Sequence, residues 1–257
     1  MSSSPFVSGA VDTAPHALPD IGVVLVGAGR GERLGAGAPK AFVELHGRPL
    51  IEFGIGVVTS LPHAGHLVLV VPEERAAQAL DIVDAVLPER SRWEVSVVPG
   101  GRERHESVRF GIAALPASID TVLVHDAARP FATIDLFERV LAEVRRTGDG
   151  VVPALRIADT LKRVDVDGLV HETVDRAPLV GVQTPQGFPR ELLAAAYDDA
   201  ELAETPPTDD AEVVQRAGGR VRTVTGELRA HKLTTPDDLP VLEYFLAANA
   251  AGLEAAQ

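Results

Sequence analysis

Arg33 and Lys40 stand in GAGRGERLGAGAPK, a glycine-rich stretch that follows the apolar run Val23–Val26. Glycine carries no Cβ, so the backbone there can take positive φ and bring its N–H groups close to an anion. Arg30, Arg33 and Lys40 add fixed positive charge, and the combination points to a phosphate ligand. In a loop that wraps a triphosphate, Arg33 and Lys40 can reach the same phosphorus, where negative charge grows on the non-bridging oxygens during displacement. The plainer alternative is a surface loop with two solvated cations. Lys232, between His231 and Leu233, can supply a third charge from the far side, although alone it reads as a surface lysine.

Asp126 follows His125 at the end of the apolar run Thr121–Val124. The end of a buried strand is a common place for a divalent-metal carboxylate in α/β sheets, while an aspartate there can equally cap the backbone. Arg129 precedes Pro130, which restricts its backbone to extended conformations and can aim its guanidinium at a phosphate; otherwise it sits on the rim. His125 and His105 have no Ser-His-Asp pattern beside them and read as structural. Two better-known phosphate loops do not fit. The dinucleotide fingerprint needs a small residue where Gly27 and Gly29 lead to Glu32 and Gly29 and Gly31 lead to Leu34, and the ATPase loop needs Gly-Lys-Ser/Thr where Lys40 lies between Pro39 and Ala41.

The elements that must position these groups alternate along the chain. Val23–Val26, Leu67–Val71, Glu94–Val98 and Thr121–Val124 read as strands. Helices are expected over Pro49–Ser60, Glu73–Leu87, Glu103–Leu115 and Thr133–Arg146, from apolar residues at helical spacing. Such alternation implies right-handed crossovers and a doubly wound, mostly parallel α/β sheet, with ligands beyond the carboxyl ends of the strands. That rule gathers GAGRGERLGAGAPK, PGGRERHES and HDAARP on one edge.

From Gly150 the pattern changes. Val151–Ala154 is another strand, and Leu161–Val164 and Leu169–Val174 flank the turn Asp165-Val166-Asp167-Gly168. This β-arm, about 155–180, has little of its own chain to pack against, and a second copy would cover it, so a homodimer is expected. QTPQGF, a helix over Arg190–Ala203, the TDD segment with a helix to Ala217, strand Val221–Thr225, the HKLTTPDD stretch and a helix over Leu239–Ala248 follow. Residues 1–20, rich in Ser, Pro and Ala, read as a disordered leader, and 251–257 as a tail, around one domain over 21–250.

Composition narrows the partners. The chain has 257 residues, 46% hydrophobic, and a formal net charge of -13. An acidic protein repels nucleic acid and anionic membranes unless its basic residues are segregated, so an anionic ligand must meet a local basic cluster. With no cysteine, disulfides and thiolate chemistry are excluded, in keeping with a cytoplasmic setting. No apolar run approaches the roughly 20 residues of a membrane span.

Taken together, GAGRGERLG with APK, GGRERHES, VLVHDAARP, ADTLKRV, TVDRAPL, VQTPQGF, TDDA and HKLTTPDD resemble the 2-C-methyl-D-erythritol 4-phosphate cytidylyltransferases, in family order, over roughly 21–248. The resemblance implies a Rossmann-like nucleotidyltransferase domain with a β-hairpin dimerisation arm. It also implies attack of the substrate's phosphate on the α-phosphorus of CTP, with Mg2+ present, giving a CDP-alcohol and pyrophosphate. By motif, Arg33 and Lys40 would stabilise the α-phosphate with Lys232 assisting, and the backbone of Gly27, Ala28, Gly29 and Gly31 would hold ribose and phosphates. Gly101, Arg102 and Ser107 would recognise cytosine, Asp126 would serve Mg2+, and Ala127 with Arg129 would face the substrate. Thr160 and Arg176 on the arm would reach the methylerythritol phosphate in the partner's site, and Thr184 and Thr208 are further polar contacts. Gly27 stands where members usually carry alanine, and Arg102 where many carry an acid. A cytidylyltransferase for another polyol phosphate, such as ribitol 5-phosphate, would share the nucleotide half. A CTP-binding scaffold without catalysis is the alternative of a different class.

Overall fold

A computed structural model describes residues 21–29, 31, 39–198 and 205–250. The readings made above for the leader, Arg30, Arg33, the end of the helix after Arg190 and the tail therefore lie outside the described residues. Strand β1 (Ile21–Val26) leads to a small hairpin of β2 (Glu44–Leu45) and β3 (Arg48–Pro49), then α1 (Leu50–Thr59), β4 (Gly65–Val71), α2 (Ala76–Val86), β5 (Trp93–Pro99), α3 (Arg104–Ala114), β6 (Thr121–Asp126) and α4 (Ile134–Thr147). Next come β7 (Gly150–Arg156), β8 (Leu161–Val164), β9 (Val170–Val174), β10 (Val180–Val182), β11 (Gln186–Pro189), α5 (Arg190–Tyr197), α6 (Asp210–Arg216), β12 (Val221–Thr225) and α7 (Leu239–Ala250).

β5, β4, β1 and β6 are parallel neighbours, and β12 lies parallel to β7. Alternation along these strands divides the core between two faces. Ile21, Val23 and Leu25 of β1, with Leu67, Leu69 and Val71 of β4, pack with α1, α2 and α4; Val24, Val68 and Val70 pack with α3, α5 and α6. A smaller cluster joins Leu50 and Phe131 to Leu233, Leu242 and Phe245. Pro49 lies one residue before α1 as its cap rather than in its first turn. Gly54 of α1 has a reason to be there, because a Cβ would come within 3.0 Å of Leu25 in β1. Caps fix the other helices that flank the edge. Glu103 and Glu106 form a capping box on α3, and Thr133 Oγ1 accepts from the Leu136 N–H at 3.2 Å on α4.

One part of the sheet departs from the parallel pattern. β11 runs antiparallel between β6 and β7, and β10 continues the same antiparallel course along β7, with the Gln183 N–H bonded to the Pro153 carbonyl at 2.8 Å between them. The QTPQGF segment thus pairs in the sheet with its two glutamines buried. Strands β8 and β9 form a hairpin and, among the described strands, pair only with each other. Its turn is held by Asp165, whose carboxylate accepts from the N–H groups of Asp167 and Leu169 at 3.0 Å, and by Gly168 at φ 82. Val164, Val166, Leu169 and Val170 are exposed along it.

Candidate active site

The parallel ladder brings the loop starts after β1, β5 and β6 level. The Gly27 N–H donates to Val70 at 2.7 Å, Gly100 to Val71 at 2.8 Å and Ala127 to Val26 at 3.0 Å, each extending the ladder one residue past its strand. A cleft of about 810 Å³ opens above them, lined among others by Gly27, Ala28, Gly29, Gly31, Lys40, Gly101, Arg102, Arg104, Ser107, Asp126 and Lys232. Gly31 takes φ 71, where a side chain would be strained. Gly100 lies so close to the Ala28 methyl that no Cβ fits between them.

Asp126 is the charged centre of the floor. Its Oδ2 accepts from Lys232 Nζ at 2.6 Å, and its Oδ1 accepts from Arg104 Nε and Nη2 at 3.3 Å. Arg129 Nε stands 4.0 Å from Oδ2. Burial alone would raise this carboxyl's pKa, but the three cations outweigh it and hold the group far below the usual carboxylate range, so it stays ionised. Lys40 Nζ donates to the carbonyls of Thr234 at 3.1 Å and Leu233 at 3.3 Å, joining the first loop to the segment that carries Lys232. Ser107 Oγ accepts from the Gly101 N–H at 3.1 Å, and the Arg102 N–H donates to Glu106 Oε2 at 2.7 Å, so the second loop is braced by its own helix.

Behind the floor, Thr184 Oγ1 accepts from the Asp126 N–H at 3.0 Å and lies 3.0 Å from His125 Nδ1. With that oxygen accepting, its O–H donates to Nδ1, which leaves the imidazole proton on Nε2, 3.3 Å from the Arg129 carbonyl. Burial, helped by Arg129 and Lys232 and opposed by Asp126, lowers the His125 pKa to about 4. It is neutral and structural.

Lys40, Arg102 and Lys232, named from sequence, meet around this cleft with Gly27, Gly29, Gly31 and Gly101. Other named residues stand elsewhere: Ala127 and Thr184 are buried beneath the floor, and Arg129 is turned to the Ala230 carbonyl at 2.6 Å as well as to Asp126. Thr208 bonds Glu212 at 2.8 Å, and Thr160 and Arg176 lie exposed on and beside the arm, outside the cleft of their own chain. Sequence reasoning missed Arg104. Its guanidinium also grips Asp210 through Nη1 at 3.0 Å and Nη2 at 2.7 Å, and Tyr197 donates its hydroxyl to the same carboxylate at 2.5 Å. Asp210 has no exposed surface, and with Asp126 it holds the Arg104 proton more firmly than burial alone would allow. The signal lay in GGRERHES and TDDA, two segments that read as separate until the fold apposed them.

A mostly parallel α/β sheet with a glycine loop and clustered cations at its carboxyl edge defines a nucleotidyltransferase. The family profile described as "IspD: 2-C-methyl-D-erythritol 4-phosphate cytidylyltransferase" matches residues 21–248, and the chain belongs to that family. It is 43% identical over 231 residues to the 2-C-methyl-D-erythritol 4-phosphate cytidylyltransferase of Streptomyces avermitilis, covering 87% of this chain and 90% of that one. It is 49% identical over 252 residues to the bifunctional enzyme IspD/IspF of Clavibacter michiganensis, covering 97% of this chain but only 60% of that longer protein. Among solved structures, the 2-C-methyl-D-erythritol 4-phosphate cytidylyltransferase of Thermus thermophilus superposes with a TM-score of 0.70 at 31% identity, covering 89% of this chain and 99% of that one.

Proposed function

We propose that this chain transfers a cytidylyl group from CTP to 2-C-methyl-D-erythritol 4-phosphate, releasing pyrophosphate. The observation that carries this reading is the convergence of Lys40, Arg104 and Lys232 on a cleft floored by an ionised Asp126 and walled by a glycine-rich loop. An oxygen of the substrate's phosphate, already ionised near neutral pH, attacks the α-phosphorus of CTP. A new P–O bond forms, the bond to the β-phosphate bridge breaks, and pyrophosphate leaves with the electron pair; no general base is needed. Lys40 and Lys232 neutralise the charge that grows on the non-bridging oxygens, and Arg33 from the same loop as Lys40 joins them.

Gly27, Ala28, Gly29 and Gly31 offer backbone room for ribose and phosphates. Gly101, Arg102 and Ser107 form the wall for cytosine, and because the Arg102 N–H is fixed by Glu106, an arginine there is compatible with recognition through the backbone. Among the described residues no three carboxylate or histidine groups come together. Mg2+ needs no such cage: it is commonly held by one or two carboxylates and the substrate's own phosphates, and the ionised Asp126 fits that donor set. When bound it would draw charge from the phosphate oxygens as a Lewis acid.

The resemblance assigns the polyol phosphate to Ala127, Arg129, Thr184 and Thr208, of which Ala127 and Thr184 could act only from beneath the floor, and closes the site with Thr160 and Arg176 from a partner's arm. The exposed apolar residues of the arm, together with its distance from its own cleft, support that homodimer. A cytoplasmic location is in keeping with the cysteine-free sequence, and no described helix is long and apolar enough to cross a membrane. Purified protein given CTP, Mg2+ and 2-C-methyl-D-erythritol 4-phosphate should release pyrophosphate and form the CDP-alcohol. No release beside an active control enzyme would remove the assignment, and preference for ribitol 5-phosphate in direct competition would move it to that alcohol.

A further inference from the structure

Gln183, Thr184 and Gln186 of the QTPQGF motif are buried and do not line the cleft, yet each ends on a different support of Asp126. Thr184 Oγ1 takes the Asp126 N–H at 3.0 Å. Gln186 brackets Asp210, the partner of Arg104: its Nε2 donates to Asp209 Oδ2 at 2.9 Å and its Oε1 accepts from the Ala211 N–H at 3.0 Å. Gln183 clasps Glu227, with Nε2 donating to the Glu227 carbonyl at 2.8 Å and Oε1 accepting from the Glu227 N–H at 2.9 Å.

The Gln183 clasp leads to Lys232. Its amide bonds both backbone groups of one residue, as a neighbouring strand would, and so leaves neither end of a buried polar side chain unpaired. The fit is close, since no Cβ could be placed on Gly226 beside Gln183 Oε1. From Glu227 the chain enters the turn Leu228–Ala230, where the Ala230 N–H bonds back to the Glu227 carbonyl at 3.1 Å and the Ala230 carbonyl receives Arg129. Lys232 then reaches Asp126, and the Leu233 N–H is bonded to the Ala128 carbonyl at 2.9 Å. Lys232 thus hangs on a short bridge pinned at both ends, and Gln183 supplies the upstream pin from 44 positions away. Because Thr184 fixes the backbone of Asp126, two adjacent side chains set both partners of the 2.6 Å contact between Lys232 and Asp126.

We propose that Gln183 is a positioning residue for cytidylyl transfer, whose amide sets the placement of segment 227–233 so that Lys232 meets the α-phosphate beside Asp126. The inference rests on the reading of the chain as a cytidylyltransferase. Gln183 touches no reactant and acts through Lys232. Catalysis by a fixed charge depends on where that charge is held, and a misplacement on the order of 1 Å can cost about 10²-fold. The loss belongs in kcat, because Lys232 stands against charge that grows in the transition state.

Steady-state pyrophosphate release and crystal structures of the full chain test this. Gln183→Met keeps the bulk of the side chain and loses both bonds, so kcat should fall at least tenfold while KM for CTP stays within threefold. In a Lys232→Met background the same substitution should change kcat less than twofold, since the group it positions is gone. Gly226→Ala, which crowds the Gln183 amide and leaves every bonding partner in the sequence, should reproduce both results and serves if Gln183→Met does not fold. Equal losses with and without Lys232, or a loss confined to KM, would overturn the proposal and leave Gln183 a residue of the fold alone. The crystal structures separate placement from substrate: Gln183→Met should move Lys232 Nζ more than 1 Å farther from Asp126 Oδ2, and an unmoved contact would overturn the proposal whatever the enzyme consumes. A wild-type chain that releases no pyrophosphate would remove the cytidylyl reading instead, and the crystallographic contact then decides whether Gln183 places Lys232.

Discussion

In the cleft, Lys40, Arg104 and Lys232 are each held by oxygens of their own chain before any ligand arrives: two carbonyls for Lys40, two carboxylates for Arg104 and Asp126 for Lys232. The arm shows the reverse arrangement. Its strands bond to each other, its charged residues pair locally, as Arg163 does with Glu172, and Val164, Leu169 and Val170 stand exposed among the described residues. The contrast separates two ways of making a site. The nucleotide side is preorganised by interactions internal to one polypeptide, whereas the side proposed for the polyol phosphate is left to be finished by a neighbour.

The widest test of that division is catalytic. Lys40→Ala or Arg33→Ala should lower kcat by about 10²-fold or more, since each contact strengthens as transition-state charge develops. A loss confined to KM in steady-state assays would remove both from that role. Mixing Lys40→Ala with Arg176→Ala, each inactive alone, should restore up to about a quarter of the activity if arms are exchanged, because half of random dimers carry one site with both residues intact. No recovery after subunit exchange would leave the arm with its own chain.

Next in size is a stability effect on the preorganised side alone. Arg104→Met leaves Asp210 buried without its cation and should cost about 3 kcal/mol in urea unfolding. A change below 1 kcal/mol would mean that the Tyr197 hydroxyl suffices for that carboxylate.

His125 gives a prediction of similar scale that depends on pH. Its folded pKa of about 4 lies below the ordinary histidine value near 6.5, so the unfolded chain takes up the proton first. Stability is therefore intact above about pH 6.5 and falls by roughly 3 kcal/mol as the pH drops to about 4. His125→Asn should flatten the curve in that window, and an unchanged slope would assign the loss to other groups.

The smallest effect belongs to the arm. Val170→Lys should alter unfolding of the isolated chain by less than about 0.5 kcal/mol, as exposed positions usually do, yet shift sedimentation from dimer to monomer. A dimer that survives the substitution would place the interface elsewhere.

What the sequence made legible follows from range. β1, β4 and β6 are largely apolar runs buried on both faces, β5 is the half-buried edge strand beside them, and their order with α1 to α4 is local information. The rule that ligands sit at the carboxyl ends of such strands then placed three loops on one edge with no knowledge of side-chain contacts. β10 and β11 were hidden because Gln183, Thr184, Pro185 and Gln186 have the composition of a turn, and their burial depends on bonds to Glu227, Asp126 and Asp209 far along the chain. Arg104 and Asp210 escaped for the same reason. They are 106 positions apart, each unremarkable until the other is beside it.

The bonds from Lys40 to Leu233 and Thr234 span 193 and 194 positions, and they tie the first loop to almost the last turn before α7. A nascent chain whose β1, β4, β5 and β6 have already left the ribosome still lacks Lys232 and the carbonyls that steady Lys40. The groups that complete the floor of the cleft are thus the last of it to be made, and no N-terminal fragment that ends before Lys232 carries them all.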